Sequence, residues 1–117
     1  MSIIKTHDIT LLSQAGNFSI ALRPLTDDHL PLLYLRNADP EIVYWSDGND
    51  VLTFDEEMVR GIYGHVSQSA YCFIIEVDRV LIGECWLQQM NLPVIINRYP
   101  ADIDIRRTDM MIGDKSY

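Results

Sequence analysis

Two apolar runs dominate the middle of the chain. Residues 71–77 read YCFIIEV and residues 80–90 read VLIGECWLQQM, with only Asp78 and Arg79 between them. Two residues between strand-like runs is the length of a tight hairpin, although arginine is a poor choice where a positive φ is wanted. Setting Val77 opposite Val80 puts Phe73 opposite Glu84, Cys72 opposite Cys85 and Tyr71 opposite Trp86. One face then carries Tyr71, Phe73, Ile75, Ile82 and Trp86, and the other Cys72, Ile74, Leu81, Cys85 and Leu87. Both faces are apolar, so the hairpin needs cover on both sides. In this register the two cysteines form a non-hydrogen-bonded pair with Cα atoms about 4.5 Å apart. A bridge is geometrically conceivable, but a cytosolic setting favours two reduced, buried thiols.

The residues before the hairpin supply candidate covers. Residues 9–12 read as a short strand, Ala15-Gly16-Asn17 as a turn, and residues 18–23 as a better strand with Phe18, Ile20 and Leu22 on one face. Thr26-Asp27-Asp28 starts a helix, with a hydroxyl N-cap and acids where the macrodipole favours them. Leu30, Leu33 and Tyr34 recur at helical spacing, and that helix should fade near Asn37-Ala38. Asp39-Pro40 is a second N-cap followed by proline at the first helical position. Residues 42–45, IVYW, make one apolar turn before Ser46-Asp47-Gly48-Asn49-Asp50 breaks it. Thr53-Phe54-Asp55-Glu56 has a capping-box pattern and opens a helix to about Val66, with Met58, Ile62 and Val66 on one face.

After a loop with two prolines, residues 101–117 read ADIDIRRTDMMIGDKSY. Asp102, Asp104 and Arg106 alternate with Ile103 and Ile105 at period two. At Arg106-Arg107 the phase slips, as a β-bulge would make it. Gly113-Asp114-Lys115 then reads as a turn. The order is strand, two to three helices, then an antiparallel three-strand meander, which makes an α+β domain.

The 117 residues suit one small domain. A net charge of −8 argues against a nucleic-acid binder, which shows a basic stripe. It suits a small cationic partner, and solubility accounts for it equally well. The opening MSIIKTHDIT has no signal-peptide pattern, and no apolar run is long enough to span a bilayer. The expectation is a cytoplasmic protein without a membrane partner. His7, His29 and His65 are scattered and no cluster has metal-ligand spacing, so no metal site is expected.

The stretch RRTDMMIGDKSY resembles the fourth strand and following turn of the GNAT N-acetyltransferases, most closely those similar to aminoglycoside 6'-N-acetyltransferases. IALRPLTDDHLPLL, IVYW and VLIGECWL are further landmarks in matching order, and the resemblance covers about residues 20–117. It implies a partial acyl-CoA N-acyltransferase fold: a single truncated domain over residues 1–117, without the family's Gly-rich pyrophosphate loop and C-terminal half. It implies acetyl-CoA as co-substrate and a primary amine as acceptor. An aminoglycoside, a polyamine, a peptide or a siderophore precursor would each serve. The other class is an inactive module that forms a homodimer through an exposed strand edge.

The resemblance also nominates residues. An aspartate at the position of Asp109 binds or deprotonates the acceptor amine, which must lose a proton before it attacks. The plainer alternative is an ion pair with Arg106 or Arg107. Met110, Met111 and Ile112 would offer backbone groups to acetyl-CoA. Trp45, Tyr44 and Asp47 fall where the family places a substrate-side loop, and an aromatic wall with carboxylates suits a cationic sugar; Trp45 as a helix anchor is the alternative. Glu84 stands out on its own chemistry. A carboxylate between Ile82 and Trp86 would have a raised pKa if buried, which suits a base; a place at the sheet edge or a cation partner is the ordinary reading.

Overall fold

The computed structural model describes residues 2–48, 50 and 52–117. Asn49, within the predicted break after α2, lies outside the described residues. Strands β1 (Leu11–Ala15) and β2 (Phe18–Pro24) form a hairpin. Its turn places Gly16 at φ 59°, a conformation glycine adopts without a Cβ penalty. A short 3-10 turn (Asp27–His29) leads into α1 (Leu30–Asn37). Helices α2 (Pro40–Asp47) and α3 (Glu56–Val66) follow. Strands β3 (Tyr71–Val77) and β4 (Val80–Gln89) come next, then the single turn α4 (Pro93–Ile96) and β5 (Arg106–Ile112). The sheet runs β1-β2-β3-β4-β5 with every neighbouring pair antiparallel. The domain is therefore α+β. Among the described residues no helix is long and apolar enough to cross a membrane.

Local chemistry sets most helix starts. The Thr26 hydroxyl accepts from the Asp28 N–H, and the His29 ring accepts from the Thr26 N–H, closing a reciprocal cap. The Asp39 carboxylate accepts from the Glu41 N–H ahead of Pro40. At α3 the cap is Asp55, which accepts from the Met58 N–H, and the predicted box starting at Thr53 is displaced by two residues. The buried face of α3 is also turned from the expected one. Val59 and Tyr63 point inward at i and i+4, Ile62 and Val66 flank them, and Met58 is exposed.

The helices cover one face of the sheet. There Leu30 and Leu33 from α1, Val59 and Tyr63 from α3, and Cys72 and Ile74 from β3 form the main core. Ile4 joins them, fixed by Asp27, whose carboxylate accepts from the Ile3 and Ile4 N–H groups at 2.9 and 2.8 Å. These bonds hold the Asp27 carboxyl below its ordinary range. The opposite face has a smaller cluster of Ile75, Val77 and Ile82, with Ile20, Leu22 and Cys85 against it.

The β3–β4 hairpin departs from the predicted register. Asp78 and Arg79 do form the two-residue turn, both at positive φ, and Val77 does face Val80. Beyond Glu76 opposite Leu81, however, Ile75 pairs with Gly83, and Ile82 is left over as a bulge. Every later pair moves by one: Ile74 faces Glu84, Phe73 faces Cys85, Cys72 faces Trp86 and Tyr71 faces Leu87. The slip carries Trp86 to the helix side with Cys72 and Ile74, and Cys85 to the other face. The two thiols are thus free, on opposite sides of the sheet. Burial pushes the Cys72 thiol up to about 12 and raises Cys85 as well. Both should react slowly with an aromatic disulfide reagent near neutral pH and at free-thiol speed in denaturant. One fast thiol in the folded domain would contradict this packing.

The predicted bulge at Arg106-Arg107 is absent. Strand β5 pairs regularly with β4, from Gln89 opposite Arg106 to Gly83 opposite Ile112. Residues 101–103 are turn and bend and residues 104–105 are irregular, so none of the five is strand. Their alternation has no partner strand to read it: Ile103 is exposed, and Asp104 bonds the Arg106 guanidinium at 2.8 and 3.0 Å. The phase slip marks where the strand begins.

Candidate functional site

The helix-side face of β4 and β5 ends in a cavity of about 200 Å³. Each wall comes from a different element. Asn37 closes α1, Ser46 and Asp47 close α2, Ile62 and Tyr63 come from α3, Glu84 and Trp86 from β4, and Asp109, Met110 and Met111 from β5. The bulge at Ile82 makes this possible. It turns Glu84 and Trp86 to the helix side opposite Ile74 and Cys72 of β3, and their β5 partners Met111 and Asp109 share that face.

Glu84 is the buried acid of the site, 4% exposed. The Tyr63 hydroxyl donates to Oε1, and the Trp86 indole Nε1–H donates to Oε2 at 3.2 Å. Asn37 stands behind Tyr63: its amide donates to the Leu33 carbonyl at 2.8 Å and to the Tyr63 oxygen at 3.4 Å. Burial pushes the Glu84 carboxyl up to about 7, against the pull of its two donors and the nearby Arg36 guanidinium. Burial and the adjacent Glu84 charge together raise the Tyr63 hydroxyl well above the usual phenol range. Arg36 is itself buried and donates to the Leu81 carbonyl. Its burial lowers its pKa, and the charges of Asp114 and Glu84 oppose that.

Asp109 also lines the cavity, and it has a cation already. Arg107 grips it in a fork, Nη2 to Oδ1 at 2.8 Å and Nε to Oδ2 at 3.1 Å, and the Gln88 amide donates to Oδ2 at 3.3 Å. Asp109 therefore carries the plain ion pair, with Arg107 and not Arg106, while it lines the cavity. Asp47 sits exposed at the rim. Tyr44 and Trp45 are not in the lining: they are 49% and 77% exposed and stack edge-to-face on each other, with centroids 5.0 Å apart. Trp45 does not anchor α2 to the sheet; Ile42 and Val43 are the buried residues of that helix.

The main chain of β5 faces two ways. The Met90 N–H bonds the Ile105 carbonyl at one end of the pairing, and the Gly113 N–H bonds the Ile82 carbonyl at the other. Alternation along an antiparallel ladder then assigns Arg107, Asp109 and Met111 to β4. It leaves the N–H and C=O groups of Arg106, Thr108, Met110 and Ile112 on the outer edge, where no described strand pairs with them. Of the three residues nominated for backbone contacts, Met110 and Ile112 present free groups and Met111 does not. Beyond the strand, Lys115 bonds the Asp39 carboxylate at 3.1 Å and the Glu41 carboxylate at 2.8 Å, joining the turn after β5 to the start of α2.

Sequence reasoning passed over Tyr63, Asn37 and Arg36. The spacing of Val59 and Tyr63 was the available signal for the first; the other two stood where the helix was expected to fade. Among the described residues no group of three or more His, Cys, Asp or Glu side chains converges on a metal-sized site. A comparison with known protein families gives no match, and neither does a comparison with curated protein sequences.

Proposed function

We propose that this domain provides the acceptor side of an N-acetyltransferase that moves an acetyl group from acetyl-CoA to a primary amine. The observation that carries the reading is a buried carboxyl, Glu84, at the floor of a cavity bordered by a strand with an unpaired outer edge. In this reading the pantetheine arm lies along Met110 and Ile112 and borrows their main-chain groups. The acceptor enters past Asp47 as an ammonium, and Asp109, held by Arg107, steadies it. Glu84 takes its proton, a role suited to a carboxyl titrating near 7. The neutral nitrogen then attacks the thioester carbonyl, the C–N bond forms, the C–S bond breaks with its electron pair leaving on sulfur, and the second proton shed by the nitrogen passes to that thiolate to give the amide and the free thiol. Tyr44 and Trp45 serve at most as an outer rim for a larger cation. The phosphates of coenzyme A need cationic partners, and the guanidinium groups on β5, Arg106 and Arg107, already hold Asp104 and Asp109.

The test is thiol release from acetyl-CoA with a simple diamine, a polyamine and an aminoglycoside as acceptors. Amine-dependent release is expected. Glu84→Gln and Asp109→Asn should each lower it about 100-fold or more, the usual scale for a positioned proton acceptor. The unpaired edge of β5, with Met110 69% exposed, favours one other reading: a non-enzymatic module that pairs strand to strand with a second copy. No binding of acetyl-CoA at millimolar concentration, together with a concentration-dependent dimer in sedimentation, would replace the first reading by the second.

A further inference from the structure

The donors around Glu84 form a directed chain. The Asn37 amide donates to the Tyr63 oxygen, the Tyr63 hydroxyl donates to Oε1 of Glu84, and the Trp86 indole donates to Oε2. Because Asn37 supplies a proton to the phenol oxygen, the phenol's own hydrogen is directed at Glu84. An ionised carboxylate has about four acceptor sites. Two are taken here, one on each oxygen, and the group lines the cavity. All three bonds originate in elements packed around β4 or in β4 itself, so they fix the carboxylate in place and favour its charged form, against the burial that favours the neutral one.

We propose that Tyr63, backed by Asn37, is a positioning residue that holds Glu84 as an anionic receptor with open acceptor sites for a cation entering the cavity. The role rests on the site reading above, but not on the transfer chemistry. Tyr63 does not touch the acceptor; it acts through Glu84. Other charged or titratable groups bear on the same carboxyl from every side. Arg36 of α1 favours its charged form; Cys72 of β3 and Cys85 of β4 would oppose it only as thiolates. Asp47 of α2 and Asp109 of β5 share the cavity, with Asp109 offset by Arg107. Against that background the phenol is the donor whose loss changes charge preference without changing shape, because phenylalanine fills the same space.

The test follows the Glu84 carboxyl carbon by NMR in ligand-free, carboxyl-labelled protein, in wild type and Tyr63→Phe. Removing a donor to the charged form should move the Glu84 titration up by about one pH unit. Asn37→Ala leaves the phenol free to turn and should move it the same way by less. It serves as the measurement if Tyr63→Phe does not fold. Propylammonium, added as the probe, should lower the Glu84 midpoint in wild type and bind more weakly in the variants near neutral pH. A Glu84 titration unmoved by either substitution would overturn the proposal and reduce Tyr63 to packing. A titration that moves while no amine is ever acetylated would leave the positioning role standing and sink only the transferase reading.

Discussion

Replacing Gly83 with alanine should cost the domain about 2–3 kcal/mol, read as a lower urea midpoint at unchanged m-value. A Cβ at this position would lie 2.2 Å from the Met111 carbonyl oxygen and 3.0 Å from the Ile112 Cα. Both obstacles are backbone, so no rotamer relieves them. The strain has to move β5 off β4, weakening the pairing that ends in the Gly113–Ile82 hydrogen bond. The same shift would spread the cavity, since Met110 and Met111 form one of its walls. Gly61→Ala is the matching control. Nothing lies within 4 Å of a Cβ there, and the site is an exposed turn of α3, so a gain of about 0.5–1 kcal/mol is expected. A Gly83→Ala domain as stable as wild type would mean that β4 and β5 approach less closely than described.

The second large effect is on stability as a function of pH. Glu84 titrates near 7 in the folded domain, against about 4.5 for the ordinary group. Between those values the folded state keeps a proton that the unfolded chain has released. Stability contributed by this group therefore falls as pH rises through the window and levels off above 7. At 1.36 kcal/mol per pH unit the full swing is about 3 kcal/mol. Other groups act elsewhere or in the opposite sense. Asp27, Asp39 and Asp104 have depressed values, so they lose stability only in more acid solution. His29, lowered by burial, gains stability as pH rises toward its ordinary value. The quantity to measure is thus the difference between wild type and Glu84→Gln, by urea unfolding from about pH 5 to about pH 8. Relative to wild type, the glutamine variant should become more stable by about 2.5 kcal/mol across that range. Parallel curves would show that Glu84 is not buried as a titrating acid.

What could be read ahead of the structure divides by distance along the chain. Thr26 and Asp39 cap helices through bonds to residues two positions on, and Asp78-Arg79 closes a turn on itself, so each was legible in a few adjacent letters. The apolar character of β3 required cover, and the helices provide it on one face. The bulge was not legible. It sits beside Gly83, which meets the backbone of β5 about thirty residues away, and one unpaired Ile82 changes the face of Glu84 and Trp86. The nomination of Glu84 as a possible buried base came from its apolar neighbours in sequence. Of its two donors, Trp86 lies two residues along β4, but Tyr63 comes from α3, which no spacing rule connects to β4. Ile103 and Ile105 show the reverse error: strand-like alternation where no neighbouring strand gives it meaning.

The bridge from Lys115 to Asp39 and Glu41 decides how the mouth of the cavity behaves. It ties the segment after β5 to the helix that ends in Ser46 and Asp47, yet Lys115 and Glu41 lie open to solvent and Asp39 is half-buried. Dissolved ions weaken exposed ion pairs of this kind progressively as salt rises, and act much less on bonds among buried groups. The result is a vessel with a firm base, made by Tyr63, Glu84 and Trp86, and a compliant lip that yields as the surrounding electrolyte thickens.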